Sequence, residues 1–284
     1  MTEVTRSLDA SNANAFIPTI WSTKVIDEYI SAAVISDRID RRFESDLKKG
    51  DTVSRPSITS VAPLQRGANT DLTYNTVIES SVNVTVNQDW YVFRMIEPLT
   101  TKQSIVDLML QYTKIDAASL AKKIDQTCAA LLDTLNGSSR KGTIAVDVTD
   151  DNLIDCVTAL DTNNVPYEDR SWLISPETWG SLMKIDKFVR LDYVNPSGGT
   201  ATERAKLNYP IYGASVFVAN TLEVNAGNHN CALIQREALM LIIQQEPKVV
   251  KAWDTRRGAD SLLTECFWGV NEARDKNGVC LLGK

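Results

Sequence analysis

A helical stripe between residues 104 and 135 constrains this chain more than any other feature. Ile105, Leu108, Met109, Tyr112, Ile115, Leu120, Ile124, Cys128, Leu131, Leu132 and Leu135 recur at three- and four-residue steps, which sets them along one face of a helix. Neither proline nor glycine interrupts the run. Ser104, with Asp107 three residues on, offers a capped start, and Asn136-Gly137 accepts the left-handed backbone that ends many helices. At the standard rise such a helix is about 48 Å long, too long to be buried inside one globule of this size. It has to cross the molecule as a spine.

The 284 residues suffice for one large or two medium domains, and a hydrophobic content of 43% supports a real core. Glycine and proline are scarce, and no repeat occurs at a solenoid period. The net charge is −6 with both signs interspersed, so the chain lacks the basic excess of a dedicated nucleic-acid reader. Five widely spaced cysteines (Cys128, Cys156, Cys231, Cys266, Cys280) form no CxxC pair and read as reduced core residues. No apolar window reaches bilayer length and no charged leader precedes an apolar run. The expectation is a protein made in the cytoplasm with no membrane association.

Residues 1–15 form a polar arm, and from Pro18 a short amphipathic helix follows through Trp21, Val25, Ile26, Tyr29, Ile30, Ala33 and Val34, with a charged continuation over residues 37–44. Residues 50–97 contain few helix formers. Val53, Ile58 and Val61 lead outward, residues 65–76 make a polar tip, and Val82, Val84 and Val86 alternate with polar residues on a return strand continuing through Trp90 to Ile96. A long hairpin without its own core is marginal in water. It either needs a neighbour or folds back on its own domain.

After the spine the pattern becomes α/β. Residues 142–148 read as a strand, Asp150-Asp151-Asn152 starts a helix with Leu153, Ile154, Val157 and Leu160 on one face, and Ser171-Trp172-Leu173-Ile174 is a strand. Ser175-Pro176-Glu177 then caps a helix that turns Trp179, Leu182 and Met183 toward the core. A Gly/Ser/Thr-rich loop spans 195–202, strands cover 211–220 and begin at Cys231, and residues 237–244 fit either strand or helix. Residues 262–270 and 279–282 read as a hairpin turned at Asp275-Lys276-Asn277-Gly278. Returned beside the spine, this end of the chain would share a domain with the beginning.

Catalytic constellations are scarce. A single histidine, His229, excludes multi-histidine metal sites, and its neighbour Cys231 adds at most a second ligand. No phosphate-cradling glycine loop and no nucleophile elbow occur. The carboxylate pairs Asp150-Asp151 and Asp37 with Asp40 are in principle able to do acid/base work, but acids at a helix start or beside arginines on a helix face are ordinarily solvated. The densest charge pattern is Trp253-Asp254-Thr255-Arg256-Arg257-Gly258-Ala259-Asp260. Its arginines suit a phosphate, a neighbouring subunit's acids, or simply solvent. No cofactor and no enzymatic activity are expected.

The order of these pieces carries a resemblance: a polar arm with Ile20-Trp21, a β excursion entered at Lys49-Gly50-Asp51-Thr52-Val53, the strand Gln88-Asp89-Trp90-Tyr91-Val92-Phe93 leading into the spine, and Arg170-Ser171-Trp172-Leu173-Ile174-Ser175-Pro176-Glu177-Thr178-Trp179. Over nearly its whole length the chain resembles the major capsid proteins of tailed bacteriophages, the α+β Hong Kong 97-type fold also seen in encapsulin shells. The resemblance implies an N-terminal arm and short helix over 1–49, an extended β-hairpin loop over 50–97, a peripheral domain with the long spine helix over 98–142 and 250–284, and an inserted α/β axial domain over 143–249.

It further implies a coat protein that self-assembles into hexamers and pentamers of an icosahedral shell around double-stranded DNA. Its partners would be a scaffolding protein, a portal protein and, in those shells that carry one, a decoration protein, and its location the virion, assembled in the host bacterial cytoplasm. Trp21, Trp90, Tyr91, Phe93, Met95, Asp254, Arg256 and Arg257 are the expected subunit-interface residues. Some family members cross-link through a lysine on the extended loop; residues 51–97 contain none, so a non-covalent shell is expected. An encapsulin-like nanocompartment and a carboxylate-dependent hydrolase are the alternatives.

Overall fold

The computed structural model describes residues 33–47, 50–58, 61–69, 71–72, 74–76, 79–97, 108–185, 210–225 and 227–283. The polar arm, most of the helix expected from Pro18 (Trp21 included), the Ser104 cap and the 195–202 loop lie outside these residues.

The spine is present as α1, Leu108–Ala130. Leu120, Ile124, Cys128 and Ala129 line its buried face. After Ala130 the backbone tightens, with Leu131 N donating to Cys128 O and Leu132 N to Ala129 O. This keeps Leu132 and Leu135 in the core before Asn136 and Gly137, at φ 54° and 63°, turn the chain left-handed. The stop therefore falls where Asn136-Gly137 marks it, and α1 itself is about 35 Å long at the standard rise.

Among the described residues ten strands form three sheets. β1 (Thr52–Ile58) and β2 (Glu79–Thr85) make an antiparallel hairpin in register from Thr52↔Thr85 to Ile58↔Glu79. β3 (Gln88–Ile96), β9 (Ala259–Glu272) and β8 (Leu239–Asp254) form a second sheet in the order β3-β9-β8, antiparallel throughout and packed on α1. The third has the order β10-β7-β4-β5, from β4 (Arg170–Ile174), β5 (Ser215–Val218), β7 (Asn228–Gln235) and β10 (Gly278–Gly283), with the short β6 (Val224–Asn225) also on β7. α2 (Asp150–Thr162) and α3 (Pro176–Leu182) accompany this sheet. α3 begins as its sequence dictates, with the Ser175 hydroxyl accepting from Thr178 N and proline in the first turn.

Several sequence expectations give way to specific physics. The return strand is two strands: β2 ends at Thr85, and β3 leaves the hairpin to pair with β9. Their junction crosses β9 so closely that a Cβ on Gly269 would lie 2.3 Å from Thr85 O, which requires glycine there. Residues 142–148 form no strand, because Gly142 and Ala145 take positive φ and Val146 N bonds back to Thr143 O. The C-terminal hairpin is absent: residues 275–277 are a 3-10 turn and β10 pairs with β7 instead. The strand expected over 211–220 shrinks to Ser215–Val218, because Tyr212 and Gly213 make a left-handed turn. The ambiguous 237–244 piece ends a 3-10 turn and then becomes β8. Ile154, placed by pattern on the buried face of α2, is 40% exposed, and Cys156 takes that place.

One continuous core joins α1, α2 and the third sheet to Cys266 and Trp268 of β9. A buried carboxylate fixes the chain's entry into it. Asp125 of α1 accepts from the backbone N–H groups of Val34, Ile35 and Ser36 at 2.6, 3.1 and 2.9 Å, which repays its burial with charge-assisted bonds.

Candidate subunit-interface surface

Among its described residues the hairpin is anchored at its base. Val84 is fully buried with Leu47, Met240 and Ile242 in a small separate cluster. Beside it lies a charged clamp. Arg42 reaches both Asp40 and Glu237 at 2.7 Å, Arg55 of β1 lies 3.8 and 3.9 Å from the same two carboxylates, and Arg274 lies 3.5 Å from Glu237. Asp40 also bridges to Met240 on the edge of β8. The expectation of a solvated acid on a helix face is thus corrected for Asp40, which is 0% exposed and part of a clamp holding chain entry, hairpin and β8 together. Burial pushes its carboxyl up, but the hydrogen bonds and charge of Arg42 and the charge of Arg55 outweigh this and hold it below the ordinary value.

Beyond the clamp the described residues of the hairpin between 61 and 76 are exposed. Leu64, Leu72 and Tyr74 near its tip are 59%, 71% and 97% exposed. Sequence reading took this tip as polar and missed them, although Leu72 and Tyr74 two residues apart in a polar stretch were the available signal.

The β3-β9-β8 sheet has two unlike faces. On the α1 face, Arg94 pairs with the fully buried Asp116 at 2.8 Å, Val92 packs on the core, and Lys123 Nζ sits 4.3 Å from the Trp90 ring centre. On the other face stand Tyr91, Phe93 and Met95, with Leu263 opposite Phe93 and Val250 opposite Leu263. Tyr91 is 67% and Phe93 50% exposed in the single chain, an apolar strip with no cover of its own. Val250 and Leu263 belong to this strip and were missed, because their partners are visible only once β8 and β9 are in register.

At one end of this sheet the β8–β9 turn carries the remaining candidates. The Asp254 carboxylate accepts from Arg256 N at 2.8 Å, and Gly258 N donates to Asp254 O at 2.8 Å. Arg257 Nη1 reaches Met95 Sδ at 3.1 Å. Met95, Asp254, Arg256 and Arg257 are therefore brought together, whereas Trp90 faces α1, away from Tyr91 and Phe93. Trp21 lies outside the described residues.

The groups resembling chemical machinery are engaged in local contacts. His229 Nε2 lies 3.4 Å from Glu177, and Cys231, two residues along β7, meets Thr178 Oγ1 at 3.3 Å and accepts from Ser175 N at 3.4 Å. Burial pushes the Cys231 thiol up, outweighing these bonds, so the nucleophilic thiolate is disfavoured. All five cysteines are buried and free, and desolvation raises Cys266 to about 11 and Cys156 and Cys280 to about 12. Asp150 accepts from the Tyr212 hydroxyl. Among the described residues no cluster of His, Cys, Asp or Glu is arranged to hold a metal ion, and no helix is long and apolar enough to cross a membrane.

No protein-family model and no curated protein matches the chain. Solved structures do. A chain from Mycobacterium phage Che8 superposes with a TM-score of 0.81 at 21% identity, covering 94% of this chain and 97% of that one. A chain from the capsid of cyanophage P-SCSP1u gives 0.78 at 17% identity over 96% and 94%. A chain from the capsid of a native GTA particle gives 0.70 at 11% identity over 98% and 99%. At these identities the likeness is one of fold, and it extends over almost the whole length of each chain.

Proposed function

Proceeding from a chain built on the phage capsid fold, we propose that this protein is a non-enzymatic coat subunit. It self-assembles into hexamers and pentamers of an icosahedral shell enclosing double-stranded DNA in a virion put together in the bacterial cytoplasm. The observation that carries this is the pair of uncovered apolar surfaces on one chain: the hairpin tip with Leu64, Leu72 and Tyr74, and the sheet face with Tyr91, Phe93 and Val250. Two unlike patches in different places favour head-to-tail contacts, which close into rings where the rotation allows. An extended hairpin laid on the next subunit gains there the burial it lacks alone.

In this reading residues 1–49 are the arm, 50–97 the extended loop, 98–142 with 250–284 the peripheral domain, and 143–249 the axial domain. β8 runs across residue 249 and β10 ties the chain end to β7, so the two domains share sheet hydrogen bonds as well as the spine. The absence of lysine from residues 51–97 favours a shell held without covalent cross-links, and a separate scaffolding protein and a portal protein complete the assembly, with room for a decoration protein.

Negative-stain microscopy and sedimentation of the purified chain test the proposal. Rings, sheets or shells are expected from the parent chain, and folded small particles from a Leu72→Ser/Tyr74→Ser variant. Uniform small particles from the parent under all assembly conditions would sink the coat-protein assignment.

A further inference from the structure

The chain as a whole repels a polyanion, since its net charge is −6. Any favourable contact with DNA therefore has to come from a surface where positive charge is segregated from acids. Such a surface exists on α1. Among the described side chains of this helix the basic residues are Lys114, Lys122 and Lys123; the first two are exposed and the third is half-buried against Trp90. Its two acids both point inward. Asp116 is taken by Arg94 and Asp125 by the backbone of residues 34–36, and each is 0% exposed. The solvent face thus presents Lys114, Ser119, Lys122 and Gln126 with no carboxylate.

This segregation is not a property of the whole surface. Lys184 and Lys251 lie within 2.9 and 3.4 Å of Asp147 and Asp260, whereas neither Lys114 nor Lys122 has an ion-pair partner among the described residues. α2 is the mirror case: it contains no lysine or arginine and exposes Asp151 and Asp155. Asp37, exposed in the turn that Asp125 caps, bounds the basic stretch on its C-terminal side.

Resting on the coat-subunit reading, we propose that the solvent face of α1 is the surface that meets the phosphate backbone of the packaged duplex, and hence that this face points into the shell. Lys114 and Lys122 are eight residues apart, about 12 Å along the helix axis. A duplex carries one charge per about 1.7 Å of its axis, so both ammonium groups find phosphates in many registers. Lysine is a flexible point charge that makes no planar, bidentate demand, and Gln126, one turn beyond Lys122, adds a neutral donor. Such contact is sequence-independent, weak and strongly salt-dependent, as required of a wall against which DNA must slide during filling.

Two measurements test this on the full chain and on a Lys114→Gln/Lys122→Gln variant. With unassembled subunits and a short duplex, the slope of log binding constant against log salt concentration should fall in magnitude by about 2 in the variant, with an unchanged circular dichroism spectrum. An unchanged slope overturns the proposal. In intact shells, a small amine-reactive reagent should modify Lys114 and Lys122, while a bulky one that cannot pass the wall should not. Modification by the bulky reagent would place α1 outside, and protection from both would place it in a subunit contact; either result overturns the proposal. A parent chain that forms no shells refutes the coat-subunit reading instead, and the salt slope still reports on the lysine face.

Discussion

Strands β4 and β10 of the β10-β7-β4-β5 sheet and the two strands of the hairpin stand in opposite relations to water. Every residue of β4 and β10 is buried, whereas in β2 only Val84 is. Strands covered on both faces are satisfied within the chain, but a two-stranded ribbon has no second layer to bury against. In the coat-subunit reading, folding and assembly therefore fall to different parts of the molecule. Burial is complete in β4 and β10 and is not in the hairpin or the outer strip of the β3-β9-β8 sheet.

A charge placed in the body should break this division most severely. Leu132→Asp puts a carboxylate at a 0% exposed site in the turn just past α1, within the core shared with the β10-β7-β4-β5 sheet, where a charge is costly to bury. Soluble folded protein should be lost, as read by circular dichroism and the soluble fraction. Leu131 is only half-buried, so Leu131→Asp should be much milder. A truncation in the same layer, Leu233→Ala in β7, should cost about 2–5 kcal/mol by chemical denaturation.

The difference between Leu131 and Leu132 illustrates what the sequence made legible. Helical period located α1, and Asn136-Gly137 located its end, because both signals are local. The strand 171–174 and the capped start of α3 were equally local. What escaped were features set by distant partners. The pairing of β10 with β7, the burial of Asp40 under Arg42 and Arg55, and the capping of residues 34–36 by Asp125 all depend on side chains far away in sequence. The interface candidates divide in the same way. Tyr91, Phe93 and Met95 are recognisable as apolar residues on a strand, but their separation from Trp90 follows from the two faces of β3, and Val250 joins them only through the β8–β9 register.

The clamp between body and hairpin should respond to acid. Because the folded-state pKa of Asp40 is depressed, its stabilisation is fully present above the unfolded value, about 3.9, and is lost as pH falls through the lower folded value. Melting temperature followed from pH 7 down to 2 should fall below about pH 4, more steeply in the parent than in Asp40→Asn, which should already be less stable at pH 7. Parallel curves for the two proteins would show that the clamp does not couple to protonation of Asp40.

Substitutions on the uncovered strip should do the reverse of those in the body. Tyr91→Ser with Phe93→Ser removes two half-exposed aromatic rings and should leave the melting temperature of the isolated subunit nearly unchanged, since exposed positions usually shift stability by about 0.5 kcal/mol or less. Rings or shells should nevertheless be lost, because buried aromatic anchors dominate interface energetics. If the isolated subunit were destabilised as much as by Leu233→Ala, the strip would belong to the body and the division would fail.

The β8–β9 turn offers the mildest and most selective test. Arg256 and Arg257 are exposed, their turn is held by Asp254 through backbone donors, and among the described residues Arg257 reaches Met95 Sδ. Reversing both charges, Arg256→Glu with Arg257→Glu, therefore leaves the internal hydrogen bonds of the turn intact, and the subunit should fold as before. Charges at the rim of a contact act mainly on encounter rate and its salt dependence. Assembly followed by light scattering should accordingly slow most at low ionic strength and approach the parent's rate as salt screens the reversed charges, with a Debye length of about 10 Å at 0.1 M. An assembly rate equal to the parent's at every salt concentration would remove these two arginines from the interface and leave the apolar strip as the contact at this end of the sheet.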